Sequence, residues 1–175
     1  MFREIFLNML RLSTLLLLVS CISGCGYRIG GMGHPQLKSV AIAPVINDTL
    51  AYNAAANMRG QLAERFQVDG TMKLTGMSQA DCIVYARITD IKLWEIDSSS
   101  SNDDDFLPNQ WGVSLTVEFS VVIPGQAKPL IDKRKATGSA EFMSGPDIEI
   151  SRNYAIKQAC YSAAKDLVSQ VTEAW

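Results

Sequence analysis

Hydrophobic and polar residues alternate most regularly between residues 113 and 123, where every second position is apolar: Val113, Leu115, Val117, Phe119, Val121 and Ile123. Successive side chains of a strand point to opposite faces, so this period predicts a strand with one buried face and one open face. Pro124–Gly125 predicts a turn. A more polar partner strand follows from Leu130 to Phe142, with Lys133, Lys135, Thr137, Ser139 and Glu141 expected on one side. Such a strand suits a sheet edge or a functional surface.

Two other stretches have the spacing of amphipathic helices. In the first, the residues three or four positions apart are Ala55, Met58, Leu62 and Phe66. This spacing predicts a helix of about four turns, which Asp69–Gly70 ends. Asn47–Asp48–Thr49 precedes it and is typical of helix-capping residues. The second helix is predicted from about Ser151 to Trp175, with an inward stripe of Ile156, Cys160, Ala163, Ala164, Leu167, Val168 and Val171.

Three shorter apolar segments complete the predicted elements. Ser39–Ala43 reads as a strand stopped by Pro44, residues 72–75 as a brief strand, and Ala80–Ile88 as the start of a longer one. The order is therefore strand, helix, several strands, helix. This order combines two helices with a sheet that has one buried face. We expect a single domain over residues 38–175.

The first 24 residues have the composition of a secretory signal. Arg3 and Arg11 flank the start of a leucine-rich core, and the apolar run is shorter than the about 20 residues that a spanning helix needs. Ile22–Ser23–Gly24–Cys25 is typical of a bacterial lipoprotein cleavage box, since small residues precede a cysteine whose thiol takes a diacylglyceryl group. We therefore expect residues 1–24 to be removed and Cys25 to carry diacylglycerol and an N-acyl chain, which together anchor the protein stably.

Alternatives to this assignment stay open at the level of sequence. A competing box ends at Cys21, and the leader also fits an ordinary secretory signal or an uncleaved anchor. Gly24 is the smaller residue before the cut, and Gly26–Tyr27 begins a polar composition, so Cys25 is favoured. An aspartate after the cysteine tends to retain lipoproteins in the inner membrane. Gly26 occupies that position, which favours the outer membrane, with the domain on its periplasmic side.

Composition limits the function classes. The leader carries two arginines and one glutamate, so its removal changes the formal net charge from −2 to −3. A slightly acidic chain argues against general nucleic-acid binding. Of the four cysteines, Cys82 and Cys160 remain after loss of Cys21 and acylation of Cys25. They are expected to form either a disulfide or two buried single thiols.

The residues that catalysis or metal binding usually requires are scarce. His34 is the single histidine, so neither a histidine-based triad elsewhere nor a multi-histidine metal site is expected. The nearby glycines lack a P-loop lysine, so residues 25–37 read as a flexible tether. The Ser/Asp-rich loop 98–105 fits a solvated linker, a partner contact or a calcium site, although it lacks the ligand spacing of a calcium loop. We expect a non-enzyme with no cofactor and no metal.

Several short motifs, in this order and spacing, resemble the LptE lipoproteins of lipopolysaccharide assembly: Cys25–Gly26–Tyr27–Arg28, Ser39–Pro44 followed by Asn47–Asp48–Thr49, Ala80–Asp81, Asp166–Leu167–Val168 and Trp175. The resemblance implies a two-layer α/β sandwich of the α+β class, with two helices packed on one face of a mixed four- to five-stranded sheet, and the element order agrees with it. It also implies that this sandwich plugs the LptD β-barrel of the outer membrane. It also implies a non-catalytic function, in which the protein supports barrel assembly and binds lipopolysaccharide. The Ser/Asp-rich loop has no obvious counterpart in that family.

Lipopolysaccharide is an anionic lipid, so cationic side chains near a sheet edge are the expected means of contact. The densest basic cluster is Lys128, Lys133, Arg134 and Lys135. Our hypothesis is that these four residues bind the lipid, and the alternative is a solvated edge strand that discourages aggregation. A different envelope adaptor is the second functional interpretation. Activators of peptidoglycan synthases and TolB-type amino-terminal domains also begin with a strand, an Asn-rich turn and a helix.

Overall fold

Six strands and two helices form the computed structural model, which describes residues 37–98, 108–144 and 146–173. In chain order they are β1 Ser39–Ile42, β2 Ile46–Asn47, α1 Ala54–Asp69, β3 Lys73–Leu74, β4 Cys82–Ser98, β5 Pro108–Val122, β6 Ile131–Met143 and α2 Ile148–Thr172. The predicted leader, Cys25, His34, Trp175 and most of the predicted tether and Ser/Asp-rich loop lie outside the described residues. No helix in the described ranges is long and apolar enough to cross a membrane.

The strands form one mixed sheet in the order β3-β1-β4-β5-β6, and β2 adds to β4 beyond the end of β1. β1 runs parallel to β3 and β4, whereas β4, β5 and β6 form an antiparallel meander. The predicted class, two helices on a mixed sheet in an α+β sandwich, is confirmed. The sheet has six strands, not four to five, because the two-residue β2 was not predicted.

One face of the sheet carries the core. The alternation predicted for β5 is confirmed, since Val113, Leu115, Val117, Phe119 and Val121 are buried and their polar neighbours face the open side. α1 contributes Met58, Leu62 and Phe66 to the same cluster, and α2 contributes its predicted stripe. Full burial of one large apolar side chain contributes about 1.5–3 kcal/mol, so this shared layer is what holds the helices on the sheet.

Two local features position α2. The Asp147 side chain accepts hydrogen bonds from the backbone N–H groups of Glu149 and Ile150, so the helix begins three residues before the predicted Ser151. The helix then crosses β6 very closely at Gly138. A Cβ there would overlap the backbone of Ala159 and Ala163. Glycine is therefore required for this approach of helix to strand.

The predicted capping role of Asn47–Asp48–Thr49 is wrong. The N-cap of α1 is Asn53, which has φ 62° and makes no side-chain capping bond. Asn47 instead accepts from the Thr49 backbone N–H and hydroxyl and donates to the Ala51 carbonyl oxygen, so it shapes the loop before the helix. A capping side chain reaches only the first turn, and these residues are too far from Ala54 to do so.

Cys82 and Cys160 are free thiols, so the alternative of a disulfide between them is excluded. Both side chains are buried, with Cys82 Sγ 3.6 Å from the Ser39 carbonyl oxygen and Cys160 Sγ 3.9 Å from that of Ala54. Burial raises the pKa of Cys82 to about 11 and that of Cys160 to about 12. Both thiols therefore stay protonated at neutral pH, which makes them poor nucleophiles.

Candidate functional site

The register of the strands gives the molecule two distinct ends. At one end β1, β4 and β6 begin and β5 ends. Leu37 and Leu130 lie together at this end, which we call the proximal end. The tip of the β4–β5 hairpin, the end of β6 and the start of α2 lie at the other, the distal end. β4 has 17 residues, so the two ends are roughly 55 Å apart at about 3.3 Å per residue.

The distal end exposes an unusual amount of apolar surface. Its members are Leu93, Trp94 and Ile96 of β4, Met143 of β6, and Ile148, Ile150 and Tyr154 of α2, with exposed fractions from 39% to 72%. The Trp94 ring lies against Gly112, where an added Cβ would overlap it. Trp111 donates from Nε1 to the Ser144 hydroxyl at 3.1 Å. Concentrated apolar exposure of this kind marks interaction surfaces.

The apolar exposure of β4 has a different origin on each face of the sheet. α1 lies against β1, β2 and β3, and α2 lies against β5 and β6. Along β4, side chains on the core face are buried up to Ile88, and a bulge follows at Thr89. No described β4 side chain beyond that bulge is fully buried. On the core face Leu93, paired with Val113, stays 39% exposed beyond the cover of the described helices, whereas Trp94, paired with Gly112, lies on the open face.

The four predicted lipopolysaccharide-binding residues lie at the proximal end, and all are exposed. Lys128 is in the turn between β5 and β6. Arg134 is paired with buried Phe119, so its Cβ points toward the helix-covered face, whereas Lys135 is paired with Glu118 on the open face. Within the described ranges, none of the four has a carboxylate within ion-pair distance. The structure brings these cations to one end but not to one face.

A β-bulge interrupts β6 just before Arg134. Val121 is paired with Ile131 and Phe119 with Arg134, so two β6 residues lie opposite Ser120. One of them is Lys133, which has φ 45° and donates its backbone N–H to the Ser120 hydroxyl at 3.0 Å. The bulge separates Lys133 from the buried Ile131, whereas Lys133 and Lys135 both lie opposite open-face residues, Ser120 and Glu118. The extra residue shifts the alternation by one position, and a strict period of two does not reveal it.

β6 is an edge strand, as predicted, but the sequence did not reveal how α2 covers part of that edge. The Asp166 carboxylate accepts the Thr137 backbone N–H at 2.9 Å, and Gln170 donates to the Lys135 carbonyl oxygen at 3.0 Å. Gln170 also donates to Asp166, which fixes the pair. These contacts satisfy outward-facing backbone groups that would otherwise recruit another strand.

Asp81 is the polar residue with the most contacts at the proximal end. One carboxylate oxygen accepts the backbone N–H groups of Lys38 and Ser39 and the Ser39 hydroxyl, at 2.8–3.0 Å. The Ser39 hydroxyl bond, followed by the Lys38 backbone bond, lowers the pKa of Asp81. Asp81 therefore ties the start of β1 to the start of β4, directly after the chain enters the domain. In the sequence, Asp81 stood out only as part of the family resemblance.

No protein-family model matches the sequence, and no curated protein matches it. Solved structures share the fold. A Xanthomonas campestris protein has a TM-score of 0.55 at 9% identity and covers 83% of this chain and 91% of its own. An uncharacterized lipoprotein B from Nitrosomonas europaea has a TM-score of 0.52 at 12% identity over 85% and 90%. A hypothetical protein from Chlamydia trachomatis has a TM-score of 0.51 at 15% identity over 77% and 95%. At these identities the similarity establishes the fold alone.

Proposed function

We propose that this chain is a non-catalytic, lipid-anchored lipoprotein of the outer membrane, which acts as LptE does. In this proposal it plugs a β-barrel of the LptD type, supports assembly of that barrel and helps deliver lipopolysaccharide to the outer leaflet. The observation that carries the proposal is the division of the domain into a basic proximal end, where the chain enters, and an apolar distal end. That a solved lipoprotein has the same fold is consistent with it.

The dimensions suit this arrangement. Leu37 is the twelfth residue after Cys25, so the tether reaches at most about 40 Å. A domain entering a barrel from the periplasm with its distal end leading keeps its proximal end beside the inner leaflet, within reach of the lipid on Cys25. The open sheet face, with Thr116, Glu118 and Ser120, suits the polar lumen of such a barrel. The distal apolar side chains need an apolar surface on the partner.

Site-specific photocrosslinking in intact cells tests the partner. A photoreactive residue at Trp94 or Tyr154 is expected to capture an outer-membrane β-barrel protein. The same probe at Gln67, an exposed position near the proximal end of α1, is the matched control and is expected to capture far less. Capture of a peptidoglycan synthase from the distal positions would refute the barrel assignment and favour the alternative envelope adaptor.

Lipopolysaccharide binding is tested separately at the proximal end. Each cation near an anionic lipid surface contributes about 1 kcal/mol, so a Lys133→Gln/Lys135→Gln double variant should bind lipopolysaccharide about 30-fold more weakly. The matched control is Lys157→Gln/Lys165→Gln, which removes the same charge from exposed positions of α2. Equal binding by the two double variants in a direct titration would contradict the assignment of the site to β6.

A further inference from the structure

A groove of about 440 Å³ lies between α1 and the edge of β1, far from the basic residues of β6. It exists because β3 has only two residues, paired with Ser39 and Val40. Beyond Val40, no strand in the described ranges lies on that side of β1. Ile42 and Leu74 line the groove from the sheet, and Gly60 and Ala63 line it from the helix.

Unpaired backbone groups face this groove. Ala43 donates to the Val84 carbonyl oxygen at 3.0 Å, so the Ala43 N–H points toward β4. Ile42 must then direct its N–H and C=O the other way, because consecutive residues of a strand alternate in direction. The Thr75 backbone N–H donates to the Val40 carbonyl oxygen at 2.9 Å. Among the described residues, no backbone hydrogen bond on this side of β1 reaches Ile42. Ile42 is only 8% exposed, so its unpaired groups are costly unless a ligand or water satisfies them.

Two side chains add polar recognition to an otherwise apolar groove. The Thr75 hydroxyl oxygen is buried and has no hydrogen-bond partner in the part of the chain that is described. Arg59 lines the groove, is exposed, and forms no ion pair with a described carboxylate. An occupant that satisfies these groups needs backbone-like donors and acceptors, small apolar side chains and a negative charge.

We propose that the groove binds an extended peptide segment of a partner protein. The segment adds a short strand to β1 at Ile42, places apolar side chains over Gly60 and Ala63, and presents a carboxylate to Arg59. Strand addition uses backbone hydrogen bonds for affinity and alternate side chains for specificity, which matches the chemistry of this groove. The inference goes beyond the proposed function and does not depend on a barrel or on lipopolysaccharide.

The probe is a set of heptapeptides that alternate valine and threonine and end in glutamate or in lysine, titrated into the isotope-labelled mature chain. The glutamate peptide should shift the amide resonance of Ile42. It should also slow hydrogen exchange at that amide by about tenfold at saturation, because an unpaired N–H becomes hydrogen-bonded. No change at Ile42 with any peptide of the set would overturn the proposal.

Variants at the groove supply the controls. A Cβ at Gly60 meets no atom within 4 Å, so Gly60→Trp is expected to fold and to fill the groove, which should abolish the response of Ile42. Gly60→Ala is the matched variant and should retain it. The Arg59→Gln variant should bind the glutamate and lysine peptides with equal affinity. Binding by Gly60→Trp equal to that of Gly60→Ala would overturn the site, whatever the crosslinks at the distal end reveal.

Discussion

At the scale of single residues, two glycines have opposite roles. Gly138 lies under α2, where any Cβ would overlap the backbone of Ala159 and Ala163, whereas Gly60 lies on an exposed helical position with open space around it. The first allows a close contact between helix and strand. Gly60 lowers the stability of α1 but leaves the groove beside it open.

Gly138→Ala should therefore lower the free energy of unfolding by about 1–3 kcal/mol, as overpacking does in well-packed cores. Gly60→Ala should raise it by about 0.5–1 kcal/mol, because alanine is the better helix former. Urea unfolding followed by circular dichroism measures both changes. Equal effects of the two substitutions would contradict the close approach of α2 to β6.

Asp81 predicts a pH dependence. Its folded pKa lies below the ordinary value of 3.8, so its contribution to stability is complete above 3.8 and is lost as the pH falls through the lower folded pKa. Asp81→Asn should reduce stability at neutral pH and flatten the decline of stability below pH 4. Unfolding midpoints of both proteins, measured from pH 6 down to pH 2.5, check this. Parallel pH profiles would rule out the role given to Asp81.

At the scale of elements, β6 and α2 act as one unit. The helix begins at the Asp147 cap, crosses Gly138, and then places Asp166 and Gln170 on the outer backbone groups of the edge strand. An uncovered edge is a template for pairing with another chain. We therefore expect the two polar side chains of α2 to protect the protein from self-association.

An Asp166→Ala/Gln170→Ala variant should expose this edge and form dimers or larger species at concentrations where the parent is monomeric. Each lost hydrogen bond should also cost about 0.5–1.5 kcal/mol of stability. Sedimentation velocity measures the association. Glu149→Ala, which removes only the exposed ion pair with Arg152, is the control and should remain like the parent. An unchanged sedimentation profile of the double variant would show that the edge needs no such cover.

At the scale of the whole molecule, function is expected from the difference between the ends, since the middle of the domain is a helix-covered sheet. The proximal end carries the four exposed cations, and the distal end carries the exposed apolar side chains. The lipid proposed on Cys25 would orient these two ends relative to a membrane.

Cys25→Ala should abolish acylation and leave an unprocessed precursor, because the lipid is added to that thiol. Cys21→Ala is the matched control and should be acylated and processed normally. Metabolic labelling with a fatty-acid analogue and the mass of the mature protein distinguish the two. Loss of labelling in the Cys21 variant alone would move the cleavage site to the competing box.

Local sequence patterns predict the longer elements and their buried faces, although the two-residue β2 escapes them. Burial follows local periodicity, and the alternation of β5 and the stripe of α2 express that period directly. The leader could also be interpreted from sequence alone, because the proposed processing enzymes act on a short linear segment. The sequence likewise indicated that the basic residues belong to an edge strand.

The arrangement of those faces depends on long-range contacts and is visible only in the folded protein. The bulge at Lys133, the cover that Asp166 gives to β6, and the unpaired edge of β1 at Ile42 depend on residues far apart in the chain. So does the separation of Cys82 from Cys160 as single thiols. Periodicity reports which way a side chain points within its own element. It carries no information on which neighbour lies there, because register and the extent of helix cover result from long-range contacts.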